Sequence, residues 1–408
     1  MTRFFILAVI YVVMAVYGFQ AFRTLFKSPW MHWGYAVLFL GVLLFLAIMI
    51  MDYEPSEGFM GTLALSGGIF GAFFLFAMGL VGFLFLEDIV RLSAFGYNKI
   101  VGVVDPAPHF PARRKFVSSL AIGLASIPFG AILYGMYKGK YNYQVLKYEL
   151  EFDDLPDNFH NYRITQISDV HSGSFDDHKK VAYGVDLINE QQSDAIFFTG
   201  DIVNNRSEEL VPWKDVFAKL AAKDGVYSIL GNHDYGDYAL WESPEAKTLD
   251  LENLKVMQKE MGFDLILNSN RFLERDGQRI ALLGVENWGR GFKKAGDLEK
   301  AKVGIAKEDF KILLSHDPSH WEDVVIKDDY HFHLTLSGHT HGMQFGVEIP
   351  GWVKWSPVGW RYKYWAGIYK EMDQFINVNR GFGFLGYPGR FGMWPEISVI
   401  TLKKKGLA

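Results

Sequence analysis

Four long apolar segments dominate the first third of the chain. None of them contains a charged side chain, and they cover residues 4–22, 33–51, 58–86 and 116–137. A helix needs about 20 apolar residues to cross the hydrocarbon core of a bilayer, and uninterrupted apolar runs of this length are rare in water-soluble domains. The pattern therefore predicts an all-α transmembrane region of four helices within residues 1–140.

From residue 141 onward the pattern changes to short apolar runs separated by polar segments. Runs typical of buried strands occupy residues 163–168, 195–199, 226–230, 311–315 and 333–337. Polar segments such as 179–191 and 213–223 have the character of helices that connect parallel strands. This alternation predicts a second domain of the α/β class over residues 141–408.

Each of these five strands is followed within two residues by Asp, Asn or His. Because the carboxyl ends of strands in α/β sheets assemble binding sites, we expect these side chains to lie together. Two divalent cations about 3.5–4 Å apart need a bridging carboxylate and several nitrogen or oxygen ligands. The sequence therefore predicts a dinuclear metal site that attracts a phosphate group. The candidate residues are Asp169, His171, Asp201, Asn232, His233, His316, His339 and His341.

The composition restricts the chemistry and the partners of this domain. The chain has no Cys, so thiolate metal sites and Cys nucleophiles are excluded and the ligands must be His, Asp and Asn. Residues 1–140 contain 10 Lys or Arg and 6 Asp or Glu, which leaves 31 and 40 for the remainder. A net-acidic second domain argues against nucleic acid as a partner, because a phosphate backbone requires a basic surface.

The strand-end motifs resemble those of the calcineurin-like metallophosphoesterases, over roughly residues 160–402. The matching residues are Asp169-x-His171, Gly200-Asp201, Gly231-Asn232-His233-Asp234, His316 and Gly338-His339-x-His341. The tail, with Arg380-Gly381, Arg390 and Pro395-Glu396-Ile397, is similar to the bacterial membrane-associated branch of that family. The resemblance implies a four-layer α/β/β/α sandwich that hydrolyses a phosphate ester through in-line attack by a metal-bridging hydroxide.

The resemblance also implies a role for each residue. His233 would face the substrate as the catalytic residue, stabilising charge on the phosphate or protonating the leaving oxygen. A mixture of His, Asp and Asn ligands suits two divalent ions of Mn, Zn or Fe, and the ligand types do not distinguish among these metals. One ion would be held by Asp169, His171, Asp201 and His341, and the other by Asp201, Asn232, His316 and His339.

One position departs from the family pattern. Many members have Asp three residues after the bridging carboxylate, where it orients the equivalent of His233, but this chain has Asn204. An amide can fix the tautomer of a histidine, although it lacks the charge that raises the basicity of the ring. Asp234 is an alternative partner, so the orientation of His233 stays open at this stage.

The distribution of Lys and Arg predicts the orientation of the chain in a bacterial cell membrane. The loops after the first and third apolar segments contain seven basic residues, against three on the opposite side, and basic loops remain in the cytoplasm. Residues 112–117 either resemble a twin-arginine export signal or form a simple basic flank. Both interpretations predict an extracytoplasmic catalytic domain.

Several further residues have two interpretations each. Arg206 and Arg390 either bind phosphate oxygens or are exposed to solvent. His320 either supports the metal site or lies on a helix surface, with the surface favoured. His331 and His333, which alternate along a strand-like segment, are expected to be structural.

The segment from 351 to 369 combines Trp and Tyr with Lys and Arg. Such a mixture is typical of a membrane interface, and equally of a sheet edge with packed aromatic rings. On the first interpretation the segment contacts the bilayer and presents a lipid-borne phosphate to the metal ions.

These patterns together predict a membrane-anchored phosphoesterase with a preference for a phosphodiester, and a lipid-borne phosphate is one candidate substrate. Two alternatives remain open. One is a cytoplasm-facing enzyme that acts on a nucleotide-type soluble substrate, and the other is a non-catalytic membrane scaffold with a vestigial metal site.

Overall fold

The computed structural model describes residues 2–53, 61–101, 111–349 and 351–407. These fall into two compact units, a helical unit that ends at Tyr137 and a mixed α/β unit that begins at Lys138. The change from apolar helices to α/β structure thus coincides closely with the change in the hydrophobic pattern near residue 140.

The helical unit contains four helices that are long and apolar enough to cross a membrane. Only 17–33% of the most apolar window of each helix is buried, so most of the apolar surface faces outward. Such surface is stable against lipid and unfavourable in water, and the predicted transmembrane region is confirmed. The helices are α1 (Thr2–Leu25), α2 (Pro29–Met51), α3 (Gly61–Ile100) and α4 (Pro111–Tyr137).

Helix α3 is longer than the sequence pattern predicted. The apolar run ends at Leu86, whereas the helix continues to Ile100 through a more polar stretch. This stretch contains no proline, and a loss of hydrophobicity alone does not end a helix. The predicted start at residue 58 lies outside the described residues.

Two arginines at the start of α4 pair with acidic residues of α3. Arg114 contacts Glu87 and lies 2.9 Å from Asp88. It also donates a hydrogen bond to Gln20 of α1 at 2.9 Å, and Arg113 lies 3.1 Å from Glu87. Because Glu87 is buried, its charge needs such partners. The arginine pair that resembled an export signal therefore has a structural role in joining three helices.

The α/β unit contains fourteen strands and five α-helices among the described residues. The strands are β1 (Gln144–Phe152), β2 (Tyr162–Ile167), β3 (Ala195–Phe198), β4 (Val226–Ser228), β5 (Phe263–Leu265), β6 (Ser269–Arg275), β7 (Gln278–Gly284), β8 (Lys311–Leu314), β9 (Leu334–Ser337), β10 (Val347–Ile349), β11 (Val353–Trp355), β12 (Gly367–Glu371), β13 (Gln374–Val378) and β14 (Glu396–Lys404). The helices are α5 (His178–Asn189), α6 (Lys214–Phe217), α7 (Pro244–Glu260), α8 (Leu298–Ala301) and α9 (Pro318–Asp323).

Twelve of these strands form two six-stranded mixed sheets. The first has the order β1–β14–β2–β3–β4–β5, in which β2 to β5 are parallel. The second has the order β12–β13–β9–β8–β7–β6, in which β13, β9, β8 and β7 are parallel. The remaining strands, β10 and β11, form a separate antiparallel hairpin.

Apolar side chains fill the spaces between the layers. One cluster lies between the sheets and includes Phe197 of β3 and Leu336 of β9. A second packs the other face of the first sheet against α5, through residues such as Val185. A third packs the second sheet against α9, through Trp321. The order helix, sheet, sheet, helix confirms the predicted four-layer α/β/β/α sandwich.

The two predicted connecting helices have different outcomes. The segment 179–191 corresponds to α5. The segment 213–223 contains only the short α6, preceded by a 3-10 helix over Ser207–Trp213. The side chain of Asn189 donates to the Lys219 carbonyl and accepts from the Ala221 amide, so main-chain groups that would continue the helix are bonded elsewhere.

Candidate metal centre

The predicted ligands meet where neighbouring parallel strands of both sheets end. Strands β2, β3 and β4 are adjacent in the first sheet, and β8 and β9 are adjacent in the second. Parallel strands present their carboxyl ends at the same edge of a sheet, which brings these side chains together. Asp169 and His171 follow β2, Asp201 follows β3, Asn232 and His233 follow β4, His316 follows β8, and His339 and His341 follow β9.

Five of these residues have a left-handed backbone conformation. The φ angle is +52° at Asp169, +48° at His171, +60° at Asp201, +71° at His339 and +52° at His341. This conformation is uncommon for residues with a side chain and costs free energy, and it is often found at functional sites. The sharp turns let successive side chains from one strand end point into the same space.

Glycines beside the ligands are required by the close approach of the strand ends. A Cβ atom on Gly338 would lie 2.2 Å from Asp169 Oδ2, and one on Gly231 would lie 2.2 Å from Asp201 Oδ1. Any side chain at these positions would displace a carboxylate. The Gly-His and Gly-Asn-His motifs therefore contain their glycines for a steric reason.

Asp169, His171 and His341 form a first group of candidate ligands, with atoms within 4.8 Å of one another. His341 Nε2 lies 3.2 Å from Asp169 Oδ1 and 3.0 Å from His171 Nε2. His171 Nε2 lies 3.7 Å from Asp201 Oδ2. Ligands about 2.1 Å from a tetrahedral metal ion are separated by about 3.4 Å, so these four atoms have the spacing of one coordination shell.

Asp201, His316 and His339 form a second group. His316 Nε2 lies 3.1 Å from Asp201 Oδ2, and the Asn232 side-chain oxygen lies 2.8 Å from His339 Nδ1. Oδ2 of Asp201 is therefore close to a ring nitrogen of each group. This is the position that a carboxylate bridging two cations would occupy.

The hydrogen bonding of His316 tests whether a metal ion fits. Its Nδ1 lies 2.7 Å from the Thr199 carbonyl oxygen, which can only accept, so Nδ1 carries the ring proton. Within the described part of the chain, the buried Nε2 has no hydrogen-bond partner. Because Nε2 faces the Asp201 carboxylate at 3.1 Å, either a proton or a metal ion must lie between the two atoms. The residues present therefore fit a cation at this point.

The electrostatics of the site also favour positive charge. Burial acts to lower the pKa of His316, but the Asp201 and Asp169 carboxylates raise it to about 10. Burial acts to raise the pKa of Asp201, yet the neighbouring His316 and His233 hold it well below its usual value. The pocket thus stabilises two carboxylates as anions and a cation between them.

Tyr238 orients the amide of Asn232. The Asn232 side-chain nitrogen donates to the Tyr238 hydroxyl at 2.9 Å, which turns the carbonyl oxygen toward His339. An oxygen is the atom of an amide that binds a divalent cation. Tyr238 lies in the loop between β4 and α7, where the sequence carries no recognisable motif, so it was not predicted.

Two further residues that were not predicted contact the outer nitrogen of His339. The Tyr362 hydroxyl lies 2.9 Å from His339 Nε2, and Asp317 Oδ2 lies 3.4 Å from the same atom. A histidine ligand commonly donates its outer N–H to such a group, which leaves the other nitrogen to bind the metal. For Asp317, its position directly after His316 was the one available signal.

Arg390 contacts His341 and is fully buried. Its guanidinium donates to His341 Nδ1 at 3.0 Å and to the carbonyls of Gly383 and Met393. A guanidinium has no acceptor, so the neutral ring of His341 carries its proton on Nε2. To bind a cation through Nε2 as a neutral ring, His341 must carry its proton on Nδ1 instead. One of the two interpretations of Arg390 was that it is exposed to solvent. Because Arg390 is buried, that interpretation was wrong.

His233 is oriented by a main-chain carbonyl. Its Nδ1 donates to the carbonyl oxygen of Asn204 at 2.8 Å, which leaves Nε2 to exchange a proton. The carboxylate of Asp234 instead accepts main-chain N–H groups of Gly231, Asp201 and Ile202, each at 2.8 Å. Asp234 therefore joins the turns after β3 and β4, and the main chain supplies the partner that the sequence left open.

Comparison with known proteins agrees with this geometry. Residues 162–343 match the family model "Calcineurin-like phosphoesterase", and residues 2–140 match "Probable Calcineurin-like phosphoesterase, transmembrane domain". The metallophosphoesterase YkuE of Bacillus subtilis is 30% identical over 302 residues, which cover 72% of this chain and 98% of the relative. The chain belongs to the calcineurin-like metallophosphoesterases. Two other relatives are more distant.

A Danio rerio transmembrane protein with a metallophosphoesterase domain is 27% identical over 281 residues, which cover 67% of this chain and 60% of the relative. A metallophosphoesterase of Helicobacter pylori is 26% identical over 329 residues, which cover 79% of this chain and 80% of the relative. The predicted family, the hydrolase class and the membrane association are thus confirmed. Members of this family bind divalent metal ions.

The other residues with two interpretations contact side chains outside the two ligand groups. His320 is buried and its Nδ1 lies 2.8 Å from the Ser315 hydroxyl, so the favoured position on a helix surface was wrong. Arg206 lies over the ring of Trp241, 4.3 Å from its centroid. His333 is buried and bonds Asp154 at 2.7 Å, as expected of a structural residue.

An exposed guanidinium lies at the rim of the second ligand group. Arg361 packs over the rings of Phe292 and Tyr362, 5.3 and 5.5 Å from their centroids. The Phe292 ring in turn contacts His339, with centroids 4.8 Å apart. Arg361 forms no ion pair with any carboxylate in the described ranges. It is thus available to an anionic group that enters beside His339.

Proposed function

We propose that the chain is a membrane-anchored hydrolase that cleaves a phosphate ester with two divalent ions, with a phosphodiester as the favoured class. The observation that carries this proposal is the pair of ligand groups that share Asp201, because a shared carboxylate is what a dinuclear site requires. The vestigial alternative is disfavoured because no predicted ligand is missing from the site.

The side chains of the site have two different roles in the proposed reaction, metal binding and proton donation. When bound, two divalent ions supply a hydroxide nucleophile at neutral pH and neutralise charge on the phosphate. They would be Mn, Zn or Fe. His233 donates a proton from Nε2 to the leaving oxygen, because its Nδ1 is held by the Asn204 carbonyl at 2.8 Å. One ion would lie among Asp169, His171, Asp201 and His341, and the other among Asp201, Asn232, His316 and His339.

The charge of the site supports a phosphate ester as the substrate. Three buried carboxylates, Asp169, Asp201 and Asp317, lie at the ligand groups. Two divalent ions, together with the Arg390 guanidinium beside His341, would outweigh them and leave the site positive. Phosphate esters are anions at neutral pH, so such a site attracts them.

The preference for a phosphodiester can be measured on soluble chromogenic substrates. We expect the purified full-length chain, loaded with Mn, to hydrolyse bis(4-nitrophenyl) phosphate with a higher kcat/KM than 4-nitrophenyl phosphate. A chelator should abolish both activities, and added metal should restore them. A higher kcat/KM for the monoester would contradict the preference, and an absence of metal-dependent turnover of both would contradict the function.

We further propose that the catalytic unit lies outside the cytoplasm and acts on a lipid-borne phosphate. The support is the excess of Lys and Arg just after the first apolar segment and between the third and fourth apolar segments, since the count of basic residues near the ends of membrane spans sets orientation. The pairing of Arg113 and Arg114 with acidic residues does not remove this support, because acidic residues contribute little to the rule.

The absence of Cys from the chain allows a direct test of the orientation. Val303→Cys places a thiol at a position that is 72% exposed in the α/β unit. A membrane-impermeant maleimide should label this variant in intact cells from which any outer envelope barrier has been removed. The control is Ser28→Cys between α1 and α2, which should be labelled only after the cells are opened. The reverse pattern would establish a cytoplasmic catalytic unit.

A further inference from the structure

The hairpin formed by β10 and β11 has its apolar face toward solvent. In the antiparallel register, Val347 lies opposite Trp355 and Ile349 lies opposite Val353. Residues that lie directly opposite share a face of a β-ribbon, so these four side chains form one apolar face. Val347, Ile349 and Trp355 are exposed by 42%, 44% and 43%. This differs from the usual arrangement, in which the apolar face of a sheet is buried.

The polar face of the same hairpin is fixed to the body of the unit. Glu348 lies opposite Lys354 in the register. The Glu348 carboxylate accepts a hydrogen bond from Arg380 at 2.6 Å, and the Lys354 ammonium donates to the Ala366 carbonyl. Arg380 is itself buried and paired with Glu396. The hairpin is therefore held in this orientation, and its apolar face cannot turn inward without breaking these contacts.

Two more tryptophans extend the apolar face. Trp352 lies in the turn of the hairpin and is 80% exposed, and Trp360 in the following 3-10 helix is 83% exposed. The rings of Trp355 and Trp360 touch, with centroids 6.4 Å apart. We refer to Val347, Ile349, Trp352, Trp355 and Trp360 as the tryptophan face. Of the other aromatic residues in the segment from 351 to 369, Tyr362, Tyr364 and Trp365 are buried and Tyr369 is half-buried.

The tryptophan face is connected to the loop that carries the candidate ligands His339 and His341. The Ser356 hydroxyl donates to the Gly342 carbonyl at 2.7 Å, and Gly342 follows the ligand candidate His341. Two residues after Trp360, the Tyr362 hydroxyl contacts His339 at 2.9 Å. The metal centre and the tryptophan face therefore belong to one continuous segment that is anchored on the ligand loop.

We propose that the tryptophan face docks the catalytic unit onto the surface of a lipid bilayer. Trp is enriched at the level of the lipid headgroups, where its ring is partly buried and its N–H stays hydrated. The same chain crosses a membrane through α1 to α4, so a bilayer is always within its reach. The proposal goes beyond the hydrolytic function and does not depend on it.

A second copy of the chain is the competing occupant of this face. Obligate interfaces between copies bury about 1,000 Å² or more per partner and are dominated by a contiguous apolar core. The tryptophan face is instead a narrow hairpin flanked by the exposed Arg361, and a cation beside aromatic rings matches an interface that carries lipid phosphates. The bilayer is therefore the occupant that its chemistry favours.

The Cys-free background also provides the test. Trp352→Cys and Trp360→Cys, each labelled with an environment-sensitive fluorophore, are studied in the full-length chain reconstituted into vesicles of phosphatidylcholine and phosphatidylglycerol. Both positions are strongly exposed, so the substitutions leave the fold intact. The matched control is labelled Val303→Cys, next to β6 at the edge of the second sheet opposite β12.

Nitroxide-labelled lipids should quench the fluorophore at positions 352 and 360 at least about threefold more strongly than at 303, because interfacial side chains lie at headgroup depth. Aqueous iodide should quench the fluorophore more strongly at position 303 than at positions 352 and 360. Equal quenching by iodide at all three positions would overturn the proposal. Protection from both quenchers that increases with protein density in the vesicles would assign the face to a second copy, and would equally overturn it.

A second measurement connects docking with catalysis and rests on the proposed function. Trp355→Ser combined with Trp360→Ser should lower kcat/KM for a vesicle-borne phosphate ester at least about tenfold, since docking raises the local substrate concentration. The kcat/KM for bis(4-nitrophenyl) phosphate should not change. Equal losses on both substrates would contradict a docking role. The quenching result remains valid even if the chain hydrolyses neither substrate.

Discussion

Asp201→Asn is expected to abolish metal-dependent hydrolysis. Oδ2 of Asp201 lies 3.1 Å from His316 Nε2 and 3.7 Å from His171 Nε2, so it is the carboxylate that both ligand groups share. A carboxylate has two oxygens that share a negative charge. The amide of Asn has a single uncharged oxygen, so it bridges two cations much less well. A loss of about 4 kcal/mol of transition-state stabilisation corresponds to about a thousandfold in kcat/KM.

The metal content of the variant should change together with its activity. We expect elemental analysis of the purified Asp201→Asn chain to show fewer bound divalent ions than the unmodified chain. Asp186→Asn, a substitution of the same type on the exposed side of α5, should change neither the metal content nor the rate. The assignment of Asp201 as the shared ligand would be refuted by unchanged turnover of bis(4-nitrophenyl) phosphate in the Asp201→Asn chain.

His233→Ala has the second-largest expected effect, and its size should depend on the leaving group. General acid catalysis contributes between about 10² and 10⁴ to a rate. The loss should approach this range for an alkyl phosphodiester, whose alkoxide leaves poorly without a proton. It should be much smaller for a 4-nitrophenyl ester, whose phenolate leaves readily. The measurement is kcat for the two esters under saturating metal.

Asn204→Ala serves as the control for the orientation of His233. The ring donates to the main-chain oxygen of residue 204, which every residue at that position retains. The loss of activity should therefore be smaller than for His233→Ala on the same ester. A loss of kcat as large as that of His233→Ala, in a chain with unchanged thermal stability, would mean that the Asn204 side chain is essential. The same loss of kcat on both esters in His233→Ala would exclude proton donation.

The membrane helices and the buried strands of the protein were predictable because they depend on local sequence patterns. Uncharged segments of about 20 residues specify membrane helices wherever they occur, and four were found. The five predicted strands match β2, β3, β4, β8 and β9 within one or two residues, because buried strands of parallel sheets are continuous apolar runs. The ends of elements were less predictable, as the extension of α3 to Ile100 shows, because polar residues do not by themselves end a helix.

The supporting shell of the metal centre was not predictable from the sequence. Tyr238 and Tyr362 lie in loops without a recognisable motif, and they orient Asn232 and His339. Arg390 is one of many arginines in the chain, and nothing in its neighbourhood indicates that it is buried against His341. These contacts join residues that are far apart in sequence, so they exist only after the two sheets have packed together.

The sequence by itself determined which chemistry the chain can perform. Without Cys, and with Asp, Asn and His at five strand ends, the chain can offer only these residue types as candidate ligands, in an order set by the sequence. The tertiary structure decided how these candidate ligands are arranged. The packing of the sheets put Asp201 between two groups, and left-handed turns aimed the side chains at one point. The same packing directed His233 to a main-chain carbonyl and left the apolar face of the β10–β11 hairpin outside. The physical reason is that ligand type is a property of single residues, whereas tautomer, charge and exposure depend on the neighbours that only folding supplies.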